Sequence, residues 1–170
     1  MTMDNRNVKI TEISRLSTNY YVRKLKEDDL ETIYQLSIGN RIFYEHHPPF
    51  VTRESILEDM NALPPGKGYE DKYYIGFFSE NKLLAVMDLI QGFPRENVAF
   101  IGLFMMDRQY QGKGIGSQII QECIQCLRES GFRAVQLGVD KGNPQSFAFW
   151  KKNGFVPTSE DVYIRMEMVL

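Results

Sequence analysis

Gln111-Gly112-Lys113-Gly114-Ile115-Gly116-Ser117 is the segment around which this chain organises itself. Three of its residues, Gly112, Gly114 and Gly116, are glycines. An apolar run ends just before the segment, at Met106, and a helical periodicity starts inside it, at Ile115. Glycine costs conformational entropy, so a turn built only to reverse the chain would not gather three of them against a helix. The first amides of a helix have no intrahelical acceptor, and the helix dipole is positive at that end. Glycines also remove the Cβ atoms that would hold a ligand away. A strand, a glycine-rich turn and a helix start together form a site for phosphate groups.

The common phosphate motifs do not fit. A Walker A loop needs Ser or Thr after its Lys, and Gly114 follows Lys113. A G-x-G-x-x-G fingerprint begun at Gly112 meets Ser117, and one begun at Gly114 meets Ile119. The kinase glycine loop covers phosphates from a hairpin, and this loop opens a helix. A nucleotide-binding regulator therefore lacks its motif.

The surrounding chain alternates strands and helices. Ala99 to Met106 is nearly continuous in apolar residues and reads as a strand buried on both faces. Ile115, Ile119, Ile120, Cys123 and Leu127 lie on one face of a helix, and Gly131 stands where a C-terminal glycine cap belongs. Ala134 to Val139 is the next strand, so a parallel pair joined by a right-handed crossover is expected. Asn143-Pro144 opens a last helix with an N-cap and a first-turn proline, and Gly154 closes it. Phe155 to Pro157 and Tyr163 to Leu170 read as terminal strands. Upstream, Asn19 to Leu25 reads as a strand, Leu30 to Leu36 as a helix, and Thr52 to Leu63 as a second helix. Arg41 to Pro49 between them reads as an aromatic and polar loop. Tyr73 to Phe78 and Leu83 to Gln91 form a hairpin around Ser79-Glu80-Asn81. The order β-α-α-β-β-β-α-β-α-β-β is that of a mixed sheet with helices on its faces.

Composition narrows the function classes. The 170 residues suit one domain with its own core. Hydrophobic residues at 43% and charged residues at 25% are ordinary globular usage. Twenty Lys and Arg against 22 Asp and Glu leave a formal charge of −2, without the basic excess of a nucleic-acid binder. No apolar run is long enough to span a bilayer, and Met1 to Asn19 lacks the apolar core of a secretion signal. The expectation is a cytoplasmic protein with no membrane or nucleic-acid partner. Cys123 and Cys126 form a C-x-x-C late in a helical pattern. A redox pair would open a helix, and a zinc site would need a second pair of ligands beyond His46 and His47. They read as small hydrophobes, and no metal is called for.

Gln111-x-x-Gly114-x-Gly116 matches the Q/R-x-x-G-x-G/A signature of the GNAT N-acetyltransferase superfamily, which the chain resembles. Ile101 to Met106 is similar to that family's fourth strand. Asn143 to Trp150, followed by Gly154-Phe155, is similar to its Asn-led helix and closing Gly-Phe. The specific likeness covers about residues 99 to 156, and the element order extends it over most of the chain. The resemblance implies an α+β fold, an α/β/α sandwich. Its sheet is mixed and mostly antiparallel, with a splayed parallel strand pair and helices on both faces. Residues 1–170 would form a single acyl-CoA N-acyltransferase-like domain, with 1–18 a peripheral N-terminal extension. Acetyl-CoA would be the acyl-donor cosubstrate. Backbone N–H groups of Gln111, Gly112, Lys113, Gly114, Ile115, Gly116 and Ser117 would hold its pyrophosphate. The strand edge at Phe104, Met105 and Met106 would pair with the pantetheine arm, and a backbone N–H at Met105 or Met106 would stabilise the oxyanion. Asn143 serves as helix N-cap, as a partner of the pantetheine arm, or both. Trp150 is a core aromatic or stacks near the coenzyme.

The chain departs from the family at two positions. Trp150 stands where relatives often have an acidic Tyr, and an indole N–H is a donor only. Water or another group such as Tyr163 must then protonate the leaving thiolate. Phe100 stands where some relatives have a basic Glu. Asp88 is the substitute base: if Gly92 pairs with Val98, Asp88 lies opposite Gly102 and shares a face with Phe100 and Phe104. A carboxylate among Met87, Leu89 and Ile90 would have its pKa raised, which suits a base. Its other reading is an acid at an exposed strand position. His46 and His47 are the other candidates for the base, or else a solvated loop pair, and with Tyr44 they lie where relatives build the acceptor pocket.

The expected activity is transfer of an acetyl group from acetyl-CoA to a primary amine of a small molecule or peptide, by direct attack in a ternary complex. The alternative is a non-catalytic acyl-CoA sensor or interaction module of the same fold. A homodimer is compatible with either.

Overall fold

The computed structural model describes residues 8–170. Strand β1 (Tyr21–Lys24) leads to helices α1 (Leu30–Ile38), α2 (Arg41–His46) and α3 (Arg53–Asn61). Strands β2 (Lys72–Ser79), β3 (Lys82–Gln91) and β4 (Val98–Met106) follow. Helix α4 (Ile115–Glu129), strand β5 (Ala134–Asp140), helix α5 (Pro144–Lys152) and strands β6 (Val156–Glu160) and β7 (Tyr163–Val169) complete the order. The seven strands form one sheet in the order β1-β2-β3-β4-β5-β7-β6. Every neighbouring pair is antiparallel except β4 and β5, which run parallel. Among the described residues no helix is long and apolar enough to cross a membrane.

The two faces of the sheet are covered by different helices. One carries Ile75, Phe77, Met87 and Leu89 and packs on Ile119, Ile120, Cys123 and Leu127 of α4 and on Trp150 of α5. The other carries Tyr74, Phe78, Val86 and Met105 and packs on Ile33 and Leu36 of α1 and Ile56 of α3. Each aliphatic side chain taken fully out of water contributes about 1.5–3 kcal/mol.

Helix α4 is buried more widely than the face of Ile115, Ile119, Ile120, Cys123 and Leu127 foretells, since Ile124 and Cys126 are also buried. Ile10 and Leu16 are core residues too. Ser17 Oγ and Thr18 Oγ1 donate to the Glu122 carboxylate at 2.5 and 2.9 Å, and the Asn19 amide donates to it as well. The described part of the N-terminal segment is thus fastened along α4. Residues 1–7 lie outside the described residues.

Arg41 to His46, read as loop from the sequence, is a short helix. Pro48 and Pro49 end it within two residues, which hides its periodicity. Helix α3 is capped by Thr52, whose Oγ1 accepts from the Ser55 amide at 3.0 Å while Ser55 Oγ accepts from the Thr52 amide at 2.9 Å. Strand β4 differs from its expectation in one respect. Its ends are buried, but Gly102 is exposed and Phe100, Leu103 and Phe104 are only half-buried.

Candidate active site

The site starts where two parallel strands part. β4 and β5 pair from Val98 with Ala134 to Ile101 with Leu137, and no further. At the same point β4 takes an extra residue against β3: Leu89 faces Ile101, and Asp88 faces Leu103. Gly102 is the bulged residue. A bulge bends its strand and raises the local twist, so β4 turns away from β5 here.

The bulge corrects the expected register. Gly92 does pair with Val98, its amide donating to Val98 O at 2.8 Å. Beyond Gly102 the alternation flips, so Asp88 lies opposite Leu103 and not Gly102. Phe104 lies opposite Met87 and faces α5, away from Asp88. Asp88 retains a face in common with Phe100, the partner of Ile90.

The parting strands leave backbone groups open. Asp107 donates its amide to Leu84 O on β3 at 2.8 Å. Alternate residues of a strand aim their N–H and C=O the same way. Met105 therefore aims at β3, while Phe104 and Met106 aim into the gap. The Met106 carbonyl is met there by Asn40 Nδ2 at 2.9 Å and Gln111 Nε2 at 3.1 Å. Of the two candidate oxyanion donors, Met106 is the one whose N–H looks into the gap.

The glycine segment lies at the end of that gap. Gly112 and Gly114 have φ of +74° and +81°, and a Cβ on either would meet open space. These left-handed conformations require glycine. The first bond of the α4 ladder runs from Gln118 N to Gly114 O, and Gly114 gives no side-chain cap. The amides of Ile115, Gly116 and Ser117 thus have no helical acceptor. A cleft of about 620 Å³ runs from this turn along β4 to α2 and α5. That is the size of a small-molecule site.

Ten of the residues singled out for the coenzyme line this cleft: Phe104, Met105, Met106, Gln111, Gly112, Gly114, Gly116, Ser117, Asn143 and Trp150. Lys113 and Ile115 do not. Lys113 Nζ sits 5.7 Å from the Tyr110 ring centroid, and Ile115 packs on the core. Asn143 Oδ1 accepts from the Ser146 amide at 3.2 Å, which is an N-cap. Trp150 is buried among Phe104, Phe149 and Phe155, with centroids 6.0, 5.0 and 5.1 Å away.

Asp88, Tyr44, His46 and His47 lie outside that cleft's lining, toward the α2 and α3 side of the sheet. Asp88 is not the lone carboxylate the sequence describes. Lys72 Nζ lies 2.9 Å from its Oδ2, and Oδ1 is buried without a partner. Burial pushes the Asp88 pKa up, the Lys72 charge opposes the rise, and Asp59 adds to it. Tyr44, half-buried, has its hydroxyl pushed up to about 12 by burial. His47 Nδ1 is 2.9 Å from Asp140 Oδ1, and its ring stacks 6.4 Å from Tyr163. Tyr163 projects from the same face of the sheet as Asp140, its register partner, and not from the face that carries Trp150.

Several site residues were not found in the sequence. Lys72 sits at the first residue of β2, one place before the apolar run that marks the strand. Its pairing with Asp88 follows only from the register. Asn40 reaches Met106 across 66 positions, which no local pattern records. Arg41, Arg108 and Lys152 also line the cleft, against Glu45, so its lining carries a positive excess. A near-neutral total charge concealed that local excess.

With this geometry in hand, known proteins are informative. The chain matches the family model of the acetyltransferase (GNAT) family over residues 28–155. It is 28% identical to the ribosomal-protein-serine acetyltransferase of Escherichia coli over 154 residues, covering 86% of this chain and 84% of that protein. It is 24% identical to the spermidine N(1)-acetyltransferase of Thermoplasma acidophilum over 142 residues, 79% of this chain and 86% of that one. The crystal structure of the PaiA N-acetyltransferase of Thermoplasma acidophilum, in complex with coenzyme A, superposes with a TM-score of 0.68 at 22% identity. That superposition covers 89% of this chain and 99% of the other, a likeness of fold.

Proposed function

The chain belongs to the GNAT acetyltransferase family, and on that footing we propose that it transfers the acetyl group of acetyl-CoA to a primary amine of a small molecule or a peptide, by direct attack in a ternary complex. One observation supports the reading above all. A single cleft joins the uncapped amides at the start of α4 to the open edge of β4, at the point where β4 leaves β5. These are the two things a pyrophosphate with an amide-bearing arm requires.

Acetyl-CoA supplies an activated acetyl carbonyl and a thiolate that leaves readily. The chain supplies the rest. The amides of Ile115, Gly116 and Ser117 bind phosphate oxygens, helped by the dipole of a 15-residue helix. Arg108 and Lys152 add positive charge to the lining of the same cleft. The N–H and C=O of Phe104 offer strand-like pairing to the arm. The Met106 N–H is available to negative charge gathering on the acetyl oxygen, an interaction that in other enzymes is worth about 3–4 kcal/mol. Holding both reactants in one geometry provides much of the remaining acceleration.

The amine comes from the other side of the sheet, past Tyr44, His46 and His47. Asp88 takes its proton. The thiolate is protonated by solvent, since Trp150 has no acidic proton to give and Tyr163 lies outside the cleft lining. Two of its relatives are named for a ribosomal-protein serine and for spermidine. The acceptor here is sought in both classes.

The test is release of CoA thiol, with mass spectrometry of the product, for acetyl-CoA offered with spermidine, other diamines and peptides with free N-termini. An N-acetylated product formed in step with free CoA is expected. Tight CoA binding without turnover on any amine would favour a sensor of the same fold.

A further inference from the structure

The Asp88 carboxylate is held in an unusual way. Tyr74 and Asp88 face each other across β2 and β3, and Lys72 faces Ile90, so Lys72 and Asp88 are diagonal neighbours on one face. The Lys72 side chain is 3% exposed, and lysine is almost never this buried unless paired. Its Nζ binds Oδ2 at 2.9 Å. Oδ1 has no partner and no access to solvent. A purely structural ion pair would satisfy both oxygens, because a buried acceptor without a donor is costly. Gly102 gives the direction: a Cβ there would stand 3.1 Å from Oδ2, so the carboxylate lies against the bulge where β4 and β5 separate.

We propose that Lys72 is a positioning residue for the reaction. Its ammonium engages Oδ2, the oxygen nearest Gly102, and holds the carboxylate ionised against the bulge, where the carboxylate takes the proton of the acceptor amine. This inference rests on the reading of Asp88 as the base. In the step, one proton passes from the substrate ammonium to the Asp88 carboxylate. The ammonium becomes a neutral amine with a free lone pair, and the carboxylate becomes a carboxylic acid. The acid returns its proton to solvent once the amide has formed. Lys72 gives up no proton.

The ionisable groups around this carboxylate are Lys72 and Tyr74 from β2 and Asp59 from α3. Tyr44 of α2 neighbours Tyr74, and His47 neighbours Asp59. Burial and Asp59 disfavour the ionised form, and Lys72 is the one group that favours it. Removing the Lys72 charge must therefore move the titration of Asp88 to higher pH. An opposite charge at this distance is worth about 1–3 pH units.

The experiment uses the whole chain with Lys72→Met, Lys72→Arg and Asp88→Asn. The Asp88 carboxyl carbon is titrated by NMR, assigned by its loss in Asp88→Asn. In parallel, kcat/KM is followed against pH with spermidine and with a peptide bearing a free N-terminal serine. In Lys72→Met the midpoint and the acid limb rise together by about one pH unit or more. Lys72→Arg, which keeps the charge, stays near wild type, and Lys72→Gln, with the same rise expected, takes the place of the Met variant if that one does not fold. Affinity for CoA is unchanged in each, since Lys72 lies outside the coenzyme cleft. An Asp88 midpoint unmoved in Lys72→Met overturns the proposal whatever the rates show. Wild-type turnover in Asp88→Asn overturns the base reading itself. An inactive Asp88→Asn beside a Lys72→Met with the wild-type acid limb overturns only the part assigned to Lys72.

Discussion

Asn40, in the turn between α1 and α2, donates its side-chain amide to the carbonyl of Met106, the last residue of β4, at 2.9 Å. Its Oδ1 accepts from Gln111 Nε2 at 2.9 Å. One side chain thus ties the helix that borders the acceptor side to the strand edge and to the first residue of the glycine signature. That use also explains why Asn40 makes no side-chain cap for α2.

Asn40→Ala removes these bonds and leaves the Met106 carbonyl with Gln111 alone. A loss of about 1–3 kcal/mol is expected. For a domain of this size each kcal/mol lowers Tm by about 2–4 °C. The KM for acetyl-CoA should rise in the same variant, because the β4 edge and the glycine turn lose their common anchor. Calorimetry and initial rates check both. An unchanged Tm and KM would mean that the contact holds nothing in place.

Trp150 sits where an acid would be convenient, yet its surroundings are those of a core residue. Trp150→Ala should cost about 3–5 kcal/mol, read from denaturant unfolding. Trp150 is also the only tryptophan and lines the cleft along β4. CoA should change its emission, and Trp150→Phe should bind CoA without that signal. Emission unaltered at saturating CoA would place the coenzyme away from α5.

Cys123 and Cys126 are free and buried in α4. Burial pushes both thiols up, and Cys123 most, so neither offers a thiolate near neutral pH. The native chain should resist a thiol reagent such as dithionitrobenzoate and release two thiols only after unfolding. Rapid native labelling would contradict this packing. The point is practical, because the same reagent reports the CoA released in the turnover assay.

These residues also show which parts of the molecule are written locally. Gly112, Gly114 and Gly116 before a helical period, and Asn143-Pro144 opening another helix, state their structure within a few positions, because backbone conformation and capping are short-range effects. The parallel crossover follows from them. Gly102 is different. A single extra residue in β4 moved Phe104 to the other face of the sheet from Asp88, and alternation alone does not reveal a bulge. Lys72 and Asp88 meet only through the register of β2 on β3. Asn40 and Met106 meet only through the packing of α1 and α2 on the end of β4. The glycine turn and the strand edge that line the cleft are legible because they are built from local backbone. The surroundings of Asp88 are not, because its partners come from other strands and helices.

The central claim is that the start of α4 and the open edge of β4 form one coenzyme site. It is tested most directly by CoA affinity, measured by calorimetry, in wild type and in Gly114→Glu. Gly114 has φ of +81° and open space around its would-be Cβ. A glutamate there strains the backbone by about 1 kcal/mol and sets a negative charge among the phosphates. Binding in the wild type and a loss on the order of 100-fold or more in the variant, about 2.8 kcal/mol, is the expected result. Equal affinity in a folded Gly114→Glu chain would contradict the account, for CoA would then have to lie elsewhere.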